Sequence, residues 1–154
     1  MKKEETVDYH IKAAWHGISR MYNQGGAKEG VSASTGFVLL NIDKYDGTPA
    51  TKIAPALGME ARSLTRLLKN MEESGLITRV QDPEDRRSVR IRLTEQGKEK
   101  RAFSKKAVIL FNEAVREQIS EHDLESFFKV MRSIEKVIDT NKNFDTKTIL
   151  TDNE

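Results

Sequence analysis

The chain has 154 residues, of which 32% are charged, and its formal net charge at pH 7 is only +2. This length suits one domain, or one domain with dimerisation arms. Because the charges nearly balance, the total gives no argument for nucleic acid, and any basic surface must be local. The chain contains no cysteine, which excludes disulfides, thiol redox sensing and cysteine metal sites.

Other function classes find little support in the sequence. No apolar run approaches the roughly 20 residues that span a bilayer, and "MKKEETVDYH" is not a signal peptide, so we expect a cytoplasmic protein without membrane association. His10 and His16 lie six residues apart and His122 is distant, so neither a metal site nor a cofactor is expected. No phosphate-binding loop or catalytic set stands out, so we do not expect an enzyme.

The first predicted element is a helix whose apolar residues form one stripe. Their 4-3-4-3 spacing is typical of a coiled-coil-like seam, and Trp15 and Tyr22 widen it. The glycines of "NQGGAKEG" (23–30) end this helix. The stripe consists of Val7, Ile11, Ala14, Ile18 and Met21.

A short apolar helix is predicted next, with Ser32 or Ser34 as its N-cap and Gly47 as its end. A second short helix is predicted to begin with Thr48 as N-cap and Pro49 at the first helical position.

The end of that second helix is also marked. Gly58 is predicted to terminate it. Pro55 falls inside it and is expected to kink or shorten it, because proline removes a backbone hydrogen bond.

A third short helix and a β-hairpin complete the middle of the chain. The segment 59–75 has an apolar face opposite a basic one, and Gly75 is its C-cap candidate. "LITRVQ" and "SVRIRL" are predicted strands joined by the charged turn "DPEDRR". In the second strand, alternation places Val89, Ile91 and Leu93 on one side and Arg90 and Arg92 on the other.

Two helices are predicted after the hairpin. Thr94 caps the first, over about 95–119, and Ser120 with Asp123 resembles a capping box for the second, over about 121–139. The predicted order is therefore α-α-α-α-β-β-α-α.

Two short helices joined at Gly58 and followed by a basic hairpin have the outline of a winged helix-turn-helix. That fold leaves the solvent face of the second helix free for the major groove, where arginine can bond guanine twice and serine or threonine can bond bases or phosphates. Taken alone, an ordinary solvated face is the competing interpretation. The predicted DNA contacts on this face are Arg62, Ser63, Thr65, Arg66 and Lys69.

The hairpin favours DNA binding, because five arginines stand against three acids between residues 79 and 92. A tip arginine can enter a narrow minor groove, and the acids can hold the turn or an arginine in place. A solubilising turn with internal salt bridges is the alternative. We predict DNA contacts by Arg86, Arg87 and Arg90, and a role in wing structure for Asp82 and Asp85.

The segment "SLTRLLKNMEESGLITRVQDPEDRRSVRIRLTEQGKE" (63–99) resembles the recognition helix and wing of MarR-type bacterial transcription regulators, and the order of helices extends the resemblance to about 7–139. The resemblance implies a homodimer joined by the first helix and the last two. It implies helix 60–74 in the major groove and Arg86 and Arg87 in or near the minor groove. Pro55 and Glu60 depart from the usual pattern.

The same resemblance implies a small-molecule pocket between the dimer arms and the DNA-binding lobe. Trp15, Tyr22 and Phe37 are candidates to line it, with core or dimer interface as the alternative. A small aromatic or amphipathic effector would suit such a lining.

These patterns predict a mainly α fold with a small β-hairpin wing: a winged helix-turn-helix (31–94) between helical dimerisation arms (1–30 and 95–139), with a polar, partly disordered tail (140–154). The predicted function is a dimeric, sequence-specific DNA-binding transcription regulator, a ligand-responsive repressor of a pseudo-palindromic operator. The alternative is a winged-helix protein–protein module without DNA binding, against which the basic residues on helix and wing both argue.

Overall fold

The computed structural model describes residues 1–85 and 87–140. The predicted DNA contact Arg86 and the predicted tail beyond residue 140 lie outside the described residues. The helices and strands, in chain order, are α1 (Val7–Gly26), α2 (Ala33–Leu40), β1 (Thr48–Pro49), α3 (Ala50–Ala56), α4 (Ala61–Glu73), β2 (Ile77–Gln81), β3 (Val89–Leu93), α5 (Glu95–Gln118) and α6 (Glu121–Thr140). The predicted mainly α fold with a small β-hairpin is confirmed.

The hairpin belongs to a three-stranded antiparallel sheet with strand order β1-β3-β2. The sequence missed β1: Thr48 pairs with Ile91 and Pro49 with Arg90. The predicted helix start at Thr48 is therefore wrong. The Thr48 hydroxyl accepts a hydrogen bond from the Asp43 amide (2.9 Å), and its backbone pairs in the sheet instead of starting a helix. Because β1 is an edge strand, it tolerates Pro49, which has no amide hydrogen to donate. Helix α3 begins at Ala50 instead.

The end of α2 also differs from the prediction. Ser32 is the N-cap, accepting a hydrogen bond from the Thr35 amide at 3.1 Å, but the helix stops at Leu40 rather than near Gly47. The chain turns because the Asp43 carboxylate accepts hydrogen bonds from the amides of Tyr45 and Asp46. Gly47, at φ +72°, closes this α2–β1 loop (41–47) against the backbone of Ile91, where no side chain fits.

The turn between α3 and α4 forms as predicted. Gly58 adopts φ +59°, a conformation that glycine takes without a steric penalty. Pro55 lies in the last turn of α3, and the helix continues past it to Ala56, so the expected kink or shortening at this proline stays a prediction. Helix α4 ends before Gly75, at φ +71°, also as predicted.

A single apolar core holds α2, α3, α4 and the sheet together. Each of these elements contributes buried side chains, and every large apolar side chain that is fully buried stabilises the fold by roughly 1.5–3 kcal/mol. Three members of the core, Leu64, Leu68 and Met71, come from one face of α4, which fixes that helix and turns its other face outward. The core cluster consists of Val38, Leu39, Ile42, Ile53, Ala54, Leu64, Leu68, Met71, Leu76, Ile77 and Ile91.

The chain divides within α5 into two compact units, one ending at Ile109 and one beginning at Leu110. Thr94 and Ser120 cap α5 and α6 as predicted, accepting hydrogen bonds from the amides of Gly97 (3.0 Å) and Asp123 (3.1 Å).

The second unit exposes much of its apolar surface. Among the described residues of α6, only Leu124 is buried. The large exposed apolar side chains of α6 are Phe127, Phe128, Val130, Val137 and Ile138.

Candidate nucleic-acid interface

The outward face of α4 carries the residues that the sequence predicted there. Arg62, Ser63, Thr65, Arg66 and Lys69 are all solvent-accessible, whereas Leu64, Leu68 and Met71 of the same helix are buried. The 3.6-residue period thus separates a core-facing stripe from a polar stripe. We call α4 the recognition helix below.

The positively charged side chains of this face differ in whether they form ion pairs. Lys69 Nζ lies 3.8 Å from Glu73 Oε1, and both side chains are mostly exposed, so this pair is weak. Thr65 donates its hydroxyl to the carbonyl of Ala61 at 2.8 Å. Within residues 1–85 and 87–140, the guanidinium groups of Arg62 and Arg66 form no ion pair.

The N-terminus of the recognition helix lacks a side-chain cap. Glu60 occupies the N-cap position in extended conformation, and its carboxylate does not bond the helix amides. The first amides of α4 therefore remain available to a partner. The carboxylate suits the helix dipole and repels phosphate.

The acids of the hairpin turn hold its backbone. The Asp82 amide donates to the carbonyl of Ser88 (3.0 Å), and the Asp82 carboxylate accepts from the amides of Glu84 (2.9 Å) and Asp85 (3.3 Å). The Asp85 carboxylate accepts from the amide of Arg87 (2.9 Å). Both aspartates thus accept hydrogen bonds from backbone amides of the turn. We call the hairpin β2–β3 with its turn 82–88 the wing.

The two described arginines predicted to contact DNA from the wing have different surroundings. Arg87 is exposed, and its guanidinium forms no ion pair with any described residue. Arg90 Nε instead donates to Asp82 Oδ2 at 3.0 Å, and the two side chains are only 15% and 4% exposed. The structure therefore places the Arg90 guanidinium inside the wing rather than on its outer surface.

The surroundings of Asp82 favour its ionised form. The hydrogen bond from the Glu84 amide, followed by that from the Arg90 side chain, holds the pKa of Asp82 below its usual value, although burial opposes the shift.

Alternation along β3 is looser than predicted. Ile91 is fully buried, but Leu93 is half-buried and Val89 is exposed. Val89 lies next to the turn, beyond the reach of the core. A link that sequence reasoning missed joins the wing to the recognition helix: Arg79 Nε lies 3.0 Å from Glu72 Oε2.

The three aromatic pocket candidates lie together. The ring centroid of Phe37 is 5.6 Å from that of Trp15 and 5.9 Å from that of Tyr22. Tyr22 and Phe37 line a pocket between α1, α2 and α5, with about 300 Å³ of empty space including its open mouth, while Trp15 stands half exposed outside the lining. Burial raises the pKa of Tyr22. The sequence missed the α5 side of this lining: Phe103, Ser104, Ala107 and Val108.

Two further findings concern the described residues alone. No group of three or more His, Asp or Glu side chains among them could hold a metal ion. No helix among them combines the length and the apolar character needed to cross a membrane.

Comparisons with known proteins converge on one family. The MarR family profile matches residues 31–89, from just before α2 to the first residue of β3. The chain is 33% identical over 97 residues to the organic hydroperoxide resistance transcriptional regulator of Bacillus subtilis (63% of this chain, 66% of that protein). It is 31% identical over 113 residues to the transcriptional regulator SarZ of Staphylococcus aureus (72% and 71%). The first of these alignments thus spans slightly less than two thirds of the relative.

Solved structures of transcription regulators have the same fold as this chain. The transcriptional repressor CouR bound to a 23-mer DNA duplex matches with a TM-score of 0.73 and 26% identity, over 86% of this chain and 94% of that one. CouR from Rhodococcus jostii RHA1 bound to p-coumaroyl-CoA, at 20% identity and a TM-score of 0.73 over 87% and 94%, supports the fold alone. The chain belongs to the MarR family of winged-helix transcription regulators.

Proposed function

We propose that this chain binds duplex DNA as a homodimer, with the recognition helix in the major groove and the wing tip near the minor groove. The observation that carries the proposal is the outward face of α4, where Arg62 and Arg66 lie one turn apart without an ion-pair partner among the described residues. Two arginines one turn apart on the same exposed helix face place two positive charges side by side, which suits a polyanionic partner.

The wing supports the same partner. Arg87 is exposed at its tip, and the backbone that presents it is fixed by Asp82 and Asp85. The positive charge of Arg86, which lies outside the described residues, adds to the same turn. An exposed arginine at a hairpin turn suits the negative potential of a narrow minor groove.

The homodimer would cover apolar surface that each unit leaves exposed. Val7, Ile11, Trp15 and Met21 follow one stripe of α1 and are all well exposed. Helix α6 exposes five large apolar side chains of its own. Exposed apolar area on this scale marks an interaction site, and a second copy of the chain would supply an equal apolar surface.

The proposed regulation is ligand-controlled repression. The bound dimer would block a promoter, and an effector that favours a DNA-incompatible arrangement would lower its affinity. The pocket with Tyr22 and Phe37 suits a small aromatic or amphipathic effector, because its lining is apolar apart from a few hydroxyl groups. CouR, solved with DNA and with p-coumaroyl-CoA, is a similar protein that binds both kinds of partner. Such a role belongs in the cytoplasm, where bacterial DNA lies.

Selection of binders from random duplex DNA with the full chain tests the proposal. A dimer whose recognition helices enter successive major grooves should select a pseudo-palindrome with half-sites about one helical turn apart. Light scattering on the same preparation should give twice the chain mass. The absence of any enriched sequence would favour a protein–protein module instead, and an asymmetric consensus would contradict the dimer.

A further inference from the structure

A buried polar bridge crosses the wing. Arg90 Nε donates to Asp82 Oδ2 at 3.0 Å, while the other Asp82 oxygen accepts the amides of Glu84 and Asp85. The terminal nitrogen Nη1 of Arg90 lies 3.3 Å from the carbonyl oxygen of Gly47 and 3.4 Å from that of Asp46. One guanidinium thus connects the start of the wing turn to the α2–β1 loop. Its two partners in that loop, Gly47 and Asp46, precede Arg90 by 43 and 44 residues in the chain.

The backbone pairing between β1 and β3 joins the wing to the α2–β1 loop only weakly. Strand β1 has two residues and pairs with β3 only at Thr48 and Pro49, so few ladder hydrogen bonds fasten the wing to the loop. Gly47 already lies against the backbone of Ile91 with no room for a side chain. Arg90 adds further hydrogen bonds at this edge, and they reach toward the turn that carries Arg87.

The charge of Arg90 is also largely neutralised. Its partner carboxylate is buried and ionised, so the pair presents little net charge to a phosphate backbone. Removing only one partner of a buried pair leaves an uncompensated charge, which is far more costly than removing both. The bridge therefore predicts a pattern of mutant effects unlike that of an exposed arginine.

We propose that Arg90 is a positioning residue of the wing: through Asp82 and the carbonyl groups of Asp46 and Gly47 it fixes the turn that presents Arg87, and it does not itself contact DNA. The effect on DNA affinity rests on the function proposed above. The effect on the mobility of the wing does not.

The test uses the full chain and a duplex obtained by selection with the wild type. Arg90→Met removes the hydrogen bonds and keeps much of the length of the side chain. Arg92→Met is the matched control, since it removes the same charge from the exposed neighbour two residues along β3. The double variant Asp82→Asn/Arg90→Met removes both charges of the pair. Circular dichroism and light scattering confirm that each variant is folded and has the wild-type assembly.

Arg90→Met should bind the duplex at least about tenfold more weakly, the equivalent of one charge-assisted hydrogen bond. Its salt dependence should match the wild type, because the complex still neutralises the same number of phosphates. The double variant should bind no more weakly than Arg90→Met, because it no longer buries an unpaired carboxylate. A log–log slope reduced by about 0.9 for each phosphate that is no longer neutralised, an unchanged affinity, or a double variant that binds still more weakly would overturn the proposal.

Hydrogen exchange of the free protein separates this proposal from the proposed function. In Arg90→Met the amides of Glu84, Asp85 and Ser88 should exchange faster, while those of α4 keep their wild-type rates. If the wild type binds no duplex, the proposed function is wrong. The exchange rates of the turn amides then test the positioning role of Arg90 by themselves. Unchanged exchange in the turn would then overturn the positioning role.

Discussion

The recognition helix and the wing both present arginines to solvent, but different forces hold the two elements in place. Helix α4 is anchored by three buried apolar side chains, so its outward arginines need no polar support. The described residues of the wing tip provide no apolar anchor, since Val89 beside the turn is exposed and Ile91 is the nearest fully buried side chain of β3. Carboxylates hold the backbone there instead, and one arginine, Arg90, is engaged by them.

This comparison indicates that the interactions holding the backbone decide whether an arginine side chain is free to bind a partner or is used within the fold. On the helix, the non-directional hydrophobic effect leaves the polar side chains of the outer face available. In the turn, directional hydrogen bonds fix the chain, and they require specific donors and acceptors. The two elements should therefore respond differently to mutation, pH and salt.

The largest expected effect concerns the apolar anchor. Leu68→Ala should lower the free energy of unfolding by about 2–5 kcal/mol, because it leaves a cavity between α4 and the core. Lys69→Ala, at the exposed neighbour, should change it by no more than about 0.5 kcal/mol. Urea denaturation at fixed protein concentration measures both. Equal effects of the two substitutions would show that the core does not anchor the helix.

The second prediction concerns the exposed wing arginine. Arg87→Ala should weaken binding to all duplexes about equally and reduce the log–log salt slope by about 0.9 for each phosphate that the dimer no longer neutralises. Titrations over a range of salt concentrations give this slope. The stability of the protein should hardly change, because Arg87 is exposed and the bond to Asp85 uses only its amide. A wild-type slope would remove Arg87 from the interface.

The polar support of the wing should fail in acid. Because the pKa of Asp82 is lowered by the Glu84 amide and by Arg90, its contribution to stability is fully present above the unfolded-state pKa of about 3.9 and is lost as pH falls through the lowered value. The difference in unfolding free energy between wild type and Asp82→Asn should be constant from about pH 7 to about pH 5 and shrink below it. A difference that already declines between about pH 7 and pH 5 would contradict this assignment.

The smallest expected effect concerns Glu60. Because its carboxylate does not cap α4 and is exposed beside the recognition face, Glu60→Gln should raise the affinity for a scrambled duplex, by less than about tenfold. Glu99→Gln removes the same charge from an exposed residue of α5 that forms no ion pair with any described residue, and it serves as the control. Filter-binding assays at low salt compare the two variants. An equal gain from Glu99→Gln would show that Glu60 does not lie beside the DNA.

Sequence patterns predicted the parts of this fold that local physics determines. Glycines at positive φ, such as Gly58 and Gly75, and the caps Thr94 and Ser120 act within a few residues, and the stripe of α4 follows from helical periodicity. The MarR-like string 63–99 added the family. These signals were enough for the class of fold and for the outward face of α4.

Pairings distant in sequence could not be predicted in this way. Strand β1 exists because Thr48 meets Ile91, and the residues 48–49 by themselves resemble a helix start. Arg90 alternates along β3 like Arg92, and only the folded chain shows that Asp82 lies beside it. The α5 side of the pocket was missed for the same reason.

The most direct test of the central claim is the ratio of affinities for a selected and a scrambled duplex, measured for wild type, Arg62→Ala, Arg66→Ala and Arg87→Ala. We expect the recognition helix to contact bases and the wing to contact the DNA phosphate backbone. At least one helix variant should then lose about 1–3 kcal/mol of binding free energy at a single base pair, which lowers the ratio. Arg87→Ala should weaken both affinities and leave the ratio unchanged. A ratio that falls only in Arg87→Ala, with both helix variants at the wild-type value, would contradict the account.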